Sequence, residues 1–111
     1  MIIVKSPLRI TLGGGGSDLH GFSSKHGGFC ISAAIDKYVY VSVHRTYEEE
    51  IILKYSQLEH VSKADEIKHP IIKECIKHLE FKTPQLEITS HADVPSNGSG
   101  LGSSGAFTVS L

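Results

Sequence analysis

The sequence has no tryptophan and only one methionine. Its two cysteines, Cys30 and Cys75, stand far apart and form no C-x-x-C pair, so a reduced cytoplasm is expected. No apolar run reaches 18 residues, and the N-terminus lacks the basic start and long apolar stretch of a signal peptide, so no membrane partner is expected. Net charge is only −1 with seven histidines counted neutral, which leaves no general attraction to nucleic acid or to an acidic membrane surface. Those histidines include no H-x-x-x-H pair on a helix and no Cys/His cluster, which argues against a structural zinc site. The G-x-S-x-G elbow of a serine hydrolase is also missing.

What is present is ordinary in bulk. The 111 residues are 40% hydrophobic and 21% charged, enough for one small domain with a core and unlike a disordered chain. The glycines are not ordinary, because most of the eleven fall in a few short stretches. In Pro95-Ser96-Asn97-Gly98-Ser99-Gly100-Leu101-Gly102-Ser103-Ser104-Gly105-Ala106-Phe107, three glycines alternate with other residues before two serines. Few side chains here bury much area, so packing does not explain the composition. Glycine lets the backbone turn tightly and lets an anion approach the main chain. Ser103 and Ser104 read as the first turn of a helix whose free N–H groups and positive dipole end would face that anion. The pattern is a phosphate cradle, with serine hydroxyls left to hydrogen-bond an oxygen or to ligate Mg²⁺.

Two familiar phosphate motifs differ from it. The Walker pattern needs lysine where Ser103 stands. Gly100 to Gly105 matches G-x-G-x-x-G, but a dinucleotide fold needs a strand running straight into the glycines and an acid about 20 residues later. The plainer alternative is a flexible Gly/Ser linker. The apolar Phe107, Val109 and Leu111 that follow weigh against it.

Taken in order, Met1–Lys5 and Leu8–Leu12 are β-branched runs parted by Ser6-Pro7, which predicts a kinked or edge strand. Arg9 alternates with Leu8 and Ile10, as a solvated charge or one aimed into a site. Gly13-Gly14-Gly15-Gly16-Ser17-Asp18 follows. Four successive glycines cost roughly 0.5–1 kcal/mol each relative to alanine, so a sharp turn or a close ligand is expected. Asp18 either caps the next turn or accepts from a substrate hydroxyl. Leu19–His26 reads as a loop or short helix and Gly27-Gly28 as a turn. Phe29–Ile35 and Tyr38–His44 read as strands joined in a hairpin by a tight turn at Asp36-Lys37. Ile51–Tyr55 is another strand, and Ser56–Lys68 is polar without pattern. Pro70 opens a helix with Ile71, Ile72, Cys75, Ile76 and Leu79 on one stripe, ended by Thr83-Pro84; Cys75 reads there as a core residue rather than a nucleophile. Leu86–Ser90 alternates as a strand. The order predicts an α+β fold, a largely antiparallel sheet with helices on one face. Gly105–Leu111 begins an apolar helix with no closing cap, so the chain is expected to be the N-terminal piece of a longer enzyme.

A phosphotransferase needs a triphosphate cradle, an adjacent pocket for a hydroxyl acceptor and a cation near the transferring group. The C-terminal glycines suit the first, the N-terminal glycines the second and Arg9 the third. A non-catalytic module that holds a phosphate ligand or a protein partner is the rival. Pro95 followed by Gly100-Leu101-Gly102-Ser103-Ser104 resembles the ATP-phosphate loop of the GHMP kinases, which include galactokinase, homoserine kinase and mevalonate kinase. Ser6-Pro7-Leu8-Arg9-Ile10-Thr11-Leu12-Gly13-Gly14 resembles the first motif of that family.

The resemblance implies the fold of a GHMP kinase N-terminal domain, like the second domain of ribosomal protein S5. Residues 1–111 would then form an incomplete ATP-binding domain without its C-terminal substrate domain and downstream catalytic aspartate. It implies ATP and Mg²⁺ as cofactors, with Pro95, Gly98, Gly100, Leu101, Gly102, Ser103, Ser104 and Gly105 on the nucleotide and Ser104 on the metal. Arg9 would be catalytic, and would bind substrate together with Gly14, Gly15, Gly16, Ser17 and Asp18. Galactokinases carry Glu-His where this chain has Gly15-Gly16. The all-glycine form resembles instead the heptose 7-phosphate kinase and fucokinase-like branches. The implied acceptor is the anomeric hydroxyl of a sugar phosphate, D-glycero-D-manno-heptose 7-phosphate, with a fucokinase-like or mevalonate-like acceptor as the alternative. The resemblance implies a cytoplasmic enzyme, with a homodimer as one assembly open to it, and no activity in this piece alone.

Overall fold

The computed structural model describes residues 1–81, 84–95 and 99–111. Two long strands dominate the N-terminal half. β1 (Ile2–Gly13) and β2 (Ile31–His44) pair antiparallel from Ile2↔Val43 to Gly13↔Ile31. Ser6-Pro7 does not divide β1, and Pro7 stays in the ladder opposite Tyr38. β1 lies at the edge of a five-stranded sheet of order β1-β2-β5-β3-β4, where a residue without an N–H is tolerated.

The hairpin expected at Asp36-Lys37 does not form. The register passes from Pro7↔Tyr38 to Arg9↔Ala34, so Ile35, Asp36 and Lys37 together oppose Leu8. The polar pair is taken up as a bulge inside one continuous strand, whose partner is β1. Leu8 is fully buried at that point, which pins the register, since a one-residue slip would turn it to solvent.

β3 (Ile51–Lys54) and β4 (Leu58–Val61) form an antiparallel hairpin. β4 lies in the stretch that looked unpatterned, because its inward position is occupied by Glu59. β5 (Leu86–Ala92) runs antiparallel to β2 and parallel to β3. A parallel pair needs a crossover, and the segment containing α2 (Pro70–His78) supplies it.

His69 caps α2, its ring Nδ1 accepting from the Ile72 N–H, and Pro70 sits where no partner for its nitrogen is needed. The helix ends at His78, before Thr83-Pro84, and Thr83 lies outside the described residues. A left-handed Glu80 (φ 49°) ends it. The Glu80 N–H donates to the Lys77 carbonyl (3.1 Å) and the Phe81 N–H to the Ile76 carbonyl (3.3 Å), a Schellman arrangement. Glu80→Gly should therefore stabilise the fold by about 0.5–1 kcal/mol, the relief of left-handed strain less the extra unfolded-state entropy of glycine. A urea midpoint that stays put or falls would contradict this account of the helix end.

Ile72 and Ile76 from α2 meet Leu8, Val39, Val41, Leu53 and Ile88 in one core. Ala106, Phe107 and Leu111, from α3 (Ser103–Ser110) and the residue after it, pack against the same cluster, so α2 and α3 share one face of the sheet. The buried Ser110 hydroxyl lies 2.7 Å from Ser6 Oγ and ties the end of α3 to β1. α1 (His20–His26) buries no residue. Among the described residues no helix is long and apolar enough to cross a membrane.

Candidate functional site

The C-terminal glycine loop is anchored at both ends. At its start, Asp93 exchanges bonds with Tyr38: the Tyr38 N–H donates to Asp93 Oδ2 (2.8 Å) and the Asp93 N–H to the Tyr38 carbonyl (3.0 Å). At its end, the Arg9 N–H donates to the Leu101 carbonyl (3.0 Å). Pro95 and Gly100 are exposed between them, and Gly98 lies outside the described residues. Gly100 (φ 65°) and Gly102 (φ 72°) are both left-handed, a conformation that other L-residues adopt only under strain.

Gly102 is the N-cap of α3, its carbonyl accepting from the Ala106 N–H at 3.0 Å. The helix geometry leaves the N–H groups of Ser103, Ser104 and Gly105 without an intrahelical acceptor. Among the described residues no side chain caps them, and no acid sits in the first turn. Among the described residues the positive end of α3 is thus uncompensated. That donor set suits a phosphate: several N–H groups on one turn, two hydroxyls beside them and no competing carboxylate.

Arg9 is packed directly on this loop. A Cβ at Gly102 would stand 3.1 Å from Arg9 Nε and 3.2 Å from Cγ and Cζ, so glycine leaves room for the guanidinium. Arg9 Nη1 donates to Thr11 Oγ1 (2.7 Å), which lies 3.2 Å from Ser32 Oγ. Thr11 in turn reaches the N-terminal glycines, its Cγ2 lying 3.5 Å from a Cβ built on Gly15. One short piece of β1 therefore touches both glycine-rich stretches.

The N-terminal glycines form a closed turn. Gly14 (φ 77°) and Gly16 (φ 89°) are left-handed, and a Cβ on Gly14 would fall 1.9 Å from the Phe29 carbonyl oxygen. The Ser17 hydroxyl lies 2.7 Å from the Gly14 carbonyl and 2.8 Å from that of Phe29, and accepts from the Phe29 N–H (3.1 Å). Ser17 thus holds the turn to the start of β2. Asp18 is exposed, with Oδ1 accepting from the Gly16 N–H at 3.2 Å.

Beside Ser103 and Ser104 opens a hollow of about 400 Å³, walled by Tyr55, His69, Val94 and Phe107 among others. The His69 ring stands edge-on to Tyr55 (4.8 Å between centroids, 82°) and 5.4 Å from Phe107. Behind them lies Glu59, which accepts from the Tyr55 hydroxyl (2.6 Å) and from the N–H groups of Lys68 (2.8 Å) and His69 (3.2 Å). Burial pushes the Glu59 carboxyl up, but these donors outweigh it and hold it below its usual range, so it is ionised at neutral pH. Burial and the bond to Glu59 push the Tyr55 phenol up to about 12. Sequence reading missed Tyr55 and His69 as neighbours of the glycine loop, and Glu59 behind them. Its available signals were a charged residue in a strand-length run and a histidine before Pro70.

No family model matches the chain. It is 29% identical over 121 residues to the D-glycero-alpha-D-manno-heptose 7-phosphate kinase of Campylobacter jejuni, across 99% of this chain and 35% of that protein. Among solved structures it matches a D-glycero-D-manno-heptose 1-phosphate kinase from Bacteroides thetaiotaomicron with TM-score 0.85 and 26% identity, over 99% of this chain and 39% of that one. It matches the Methanococcus jannaschii mevalonate kinase with TM-score 0.71 and 25% identity, over 98% of this chain and 37% of that one. The chain thus spans between a third and two fifths of the length of these relatives. Its architecture is that of the GHMP kinase N-terminal domain.

Proposed function

We propose that this chain, with the fold and the sequence likeness of the GHMP kinases, is the nucleotide-binding part of an ATP-dependent sugar kinase. We further assign its acceptor to the class of heptose 7-phosphate, phosphorylated at the anomeric hydroxyl. The observation that carries the reading is Arg9 held against Gly102, beside the free N–H groups of Ser103, Ser104 and Gly105. A cation, a set of main-chain donors and a hollow meet there without a carboxylate to oppose an anion.

The polyphosphate rests on the loop from Pro95 to Gly105, and the base lies in the hollow behind Ser103 and Ser104. Mg·ATP, when bound, supplies the phosphoryl group and a metal that offsets its charge. Ser104 offers its hydroxyl to that metal. Arg9 points its guanidinium toward the group in transfer, and Thr11 holds its orientation. The turn from Gly14 to Asp18 forms one side of the acceptor pocket, with Asp18 accepting from sugar hydroxyls. The chain covers about a third of its curated relative's length, and this reading assigns the acceptor's proton to none of its residues. The likeness to heptose-phosphate kinases, together with the all-glycine run from Gly13 to Gly16, favours a heptose phosphate over galactose or mevalonate.

The test uses the full-length enzyme and an ADP-release assay across a panel of sugar phosphates. Turnover should be highest with heptose 7-phosphate, and no turnover with any member would overturn the kinase reading. Ser104→Ala should weaken Mg·ATP binding by about tenfold, the loss of one charge-assisted contact. Asp18→Ala should raise the acceptor KM and leave that of ATP unchanged. If Ser104→Ala leaves nucleotide affinity and rate intact, the loop holds something else.

A further inference from the structure

Glu59 is a carboxylate on the core face of β4, opposite Leu53 and only 6% exposed. No cation forms a salt bridge with it among the described residues. Burying a charge in this way is unfavourable, and an apolar residue at the site would complete the core at less cost. What the carboxylate does is gather three donors from two separate segments. The Tyr55 hydroxyl comes from the residue after β3, and the Lys68 and His69 N–H groups come from the approach to α2. Both segments contribute to the wall of the hollow, which Glu59 itself does not line.

His69 is held twice. Its N–H donates to Glu59, and its ring Nδ1 accepts from the Ile72 N–H (3.3 Å). An accepting Nδ1 leaves Nε2 as the ring's N–H, and it has no partner among the described residues. The ring is further wedged between Tyr55 and Phe107. Tyr55, His69 and Phe107 line the same hollow as Ser103 and Ser104, and an aromatic wall of that kind suits a planar heteroaromatic base.

We infer that Glu59 is a positioning residue for nucleotide selection: it sets Tyr55 and His69 as the wall against which the base rests. The inference depends on the nucleotide reading above. Its test separates base from phosphate in the full-length enzyme by comparing Mg·ATP with inorganic tripolyphosphate, which occupies a phosphate cradle without a base. Glu59→Gln keeps the shape but replaces one acceptor oxygen with a donor, leaving Tyr55 or an N–H group unpaired. It should weaken Mg·ATP about tenfold and raise the ATP KM alike, with tripolyphosphate affinity, kcat and the acceptor KM unchanged.

His69→Asn retains an oxygen to cap α2 and removes the ring. It should give the same split with the melting temperature preserved, which keeps the test open if Glu59→Gln fails to fold. Equal weakening of ATP and tripolyphosphate, or a lowered melting temperature with ATP affinity intact, would overturn the role of Glu59. ATP affinity of His69→Asn at the unsubstituted level would overturn the wall. If the unsubstituted enzyme binds neither ATP nor tripolyphosphate, the nucleotide reading itself fails and takes this inference with it.

Discussion

Replacing Gly14 with alanine should collapse the N-terminal glycine turn and raise the acceptor KM by more than about tenfold, with a loss of stability of about 3 kcal/mol or more. The added methyl would fall 1.9 Å from the Phe29 carbonyl oxygen; the methyl is fixed to the Cα and the carbonyl is backbone, so neither can swing away. The φ of 77° adds left-handed strain. Relief requires the turn to part from the start of β2, which breaks the bonds that Ser17 makes to Gly14 and Phe29. Asp18 would move with it. Nucleotide affinity should survive, because the C-terminal loop is held further along β1, through Arg9 and Leu101. Gly13→Ala is the control. A methyl there meets nothing within 4 Å and φ is not positive, so stability should change by no more than about 0.5 kcal/mol. Thermal melts and steady-state kinetics on the two variants decide the matter. A Gly14→Ala protein that melts and binds acceptor like its parent would refute the closed turn.

Arg9→Lys should lower kcat by about 10²-fold, the scale of removing one preorganised donor from a developing negative charge. Charge is retained in this substitution, so geometry is what it tests. The guanidinium lies along Gly102 through Nε and Cζ while Nη1 reaches Thr11 at 2.7 Å. A planar fork can meet a fixed acceptor on one nitrogen and keep others for the transferring group; an ammonium on a flexible stem cannot hold both directions. The ATP KM should change little, since the main-chain N–H groups of the loop are untouched. Single-turnover and steady-state rates with saturating ATP measure the effect. A lysine variant at the full rate would mean that Arg9 only braces the loop, and the cation of the reaction would then lie elsewhere.

Part of this site could be read directly from the residues. Glycines at alternate positions before two serines state a backbone requirement that few folds share, and Arg9 stands out as a charge within an apolar strand. The apolar stripe from Ile72 to Ile76 and the alternation from Leu86 to Ser90 reported α2 and β5, because side-chain period follows local geometry. The errors also have local causes. Asp36-Lys37 is as good a turn signal as it is a bulge signal, and the choice between them depended on β1 lying alongside for the whole length of β2. β4 went unseen because its inward position is a glutamate, which hides the alternation that would mark a strand.

By itself the sequence determined the α+β character of the chain, its two glycine-rich turns and the residue types offered to a phosphate, since these follow from neighbours within a few positions. Tertiary structure alone decided that Arg9 lies on Gly102, and that Tyr55 and His69 come beside Ser103 with Glu59 behind them. Those contacts join segments that lie far apart in the sequence. They come from strand register and from the crossover through α2, and burying the common core settles both at once.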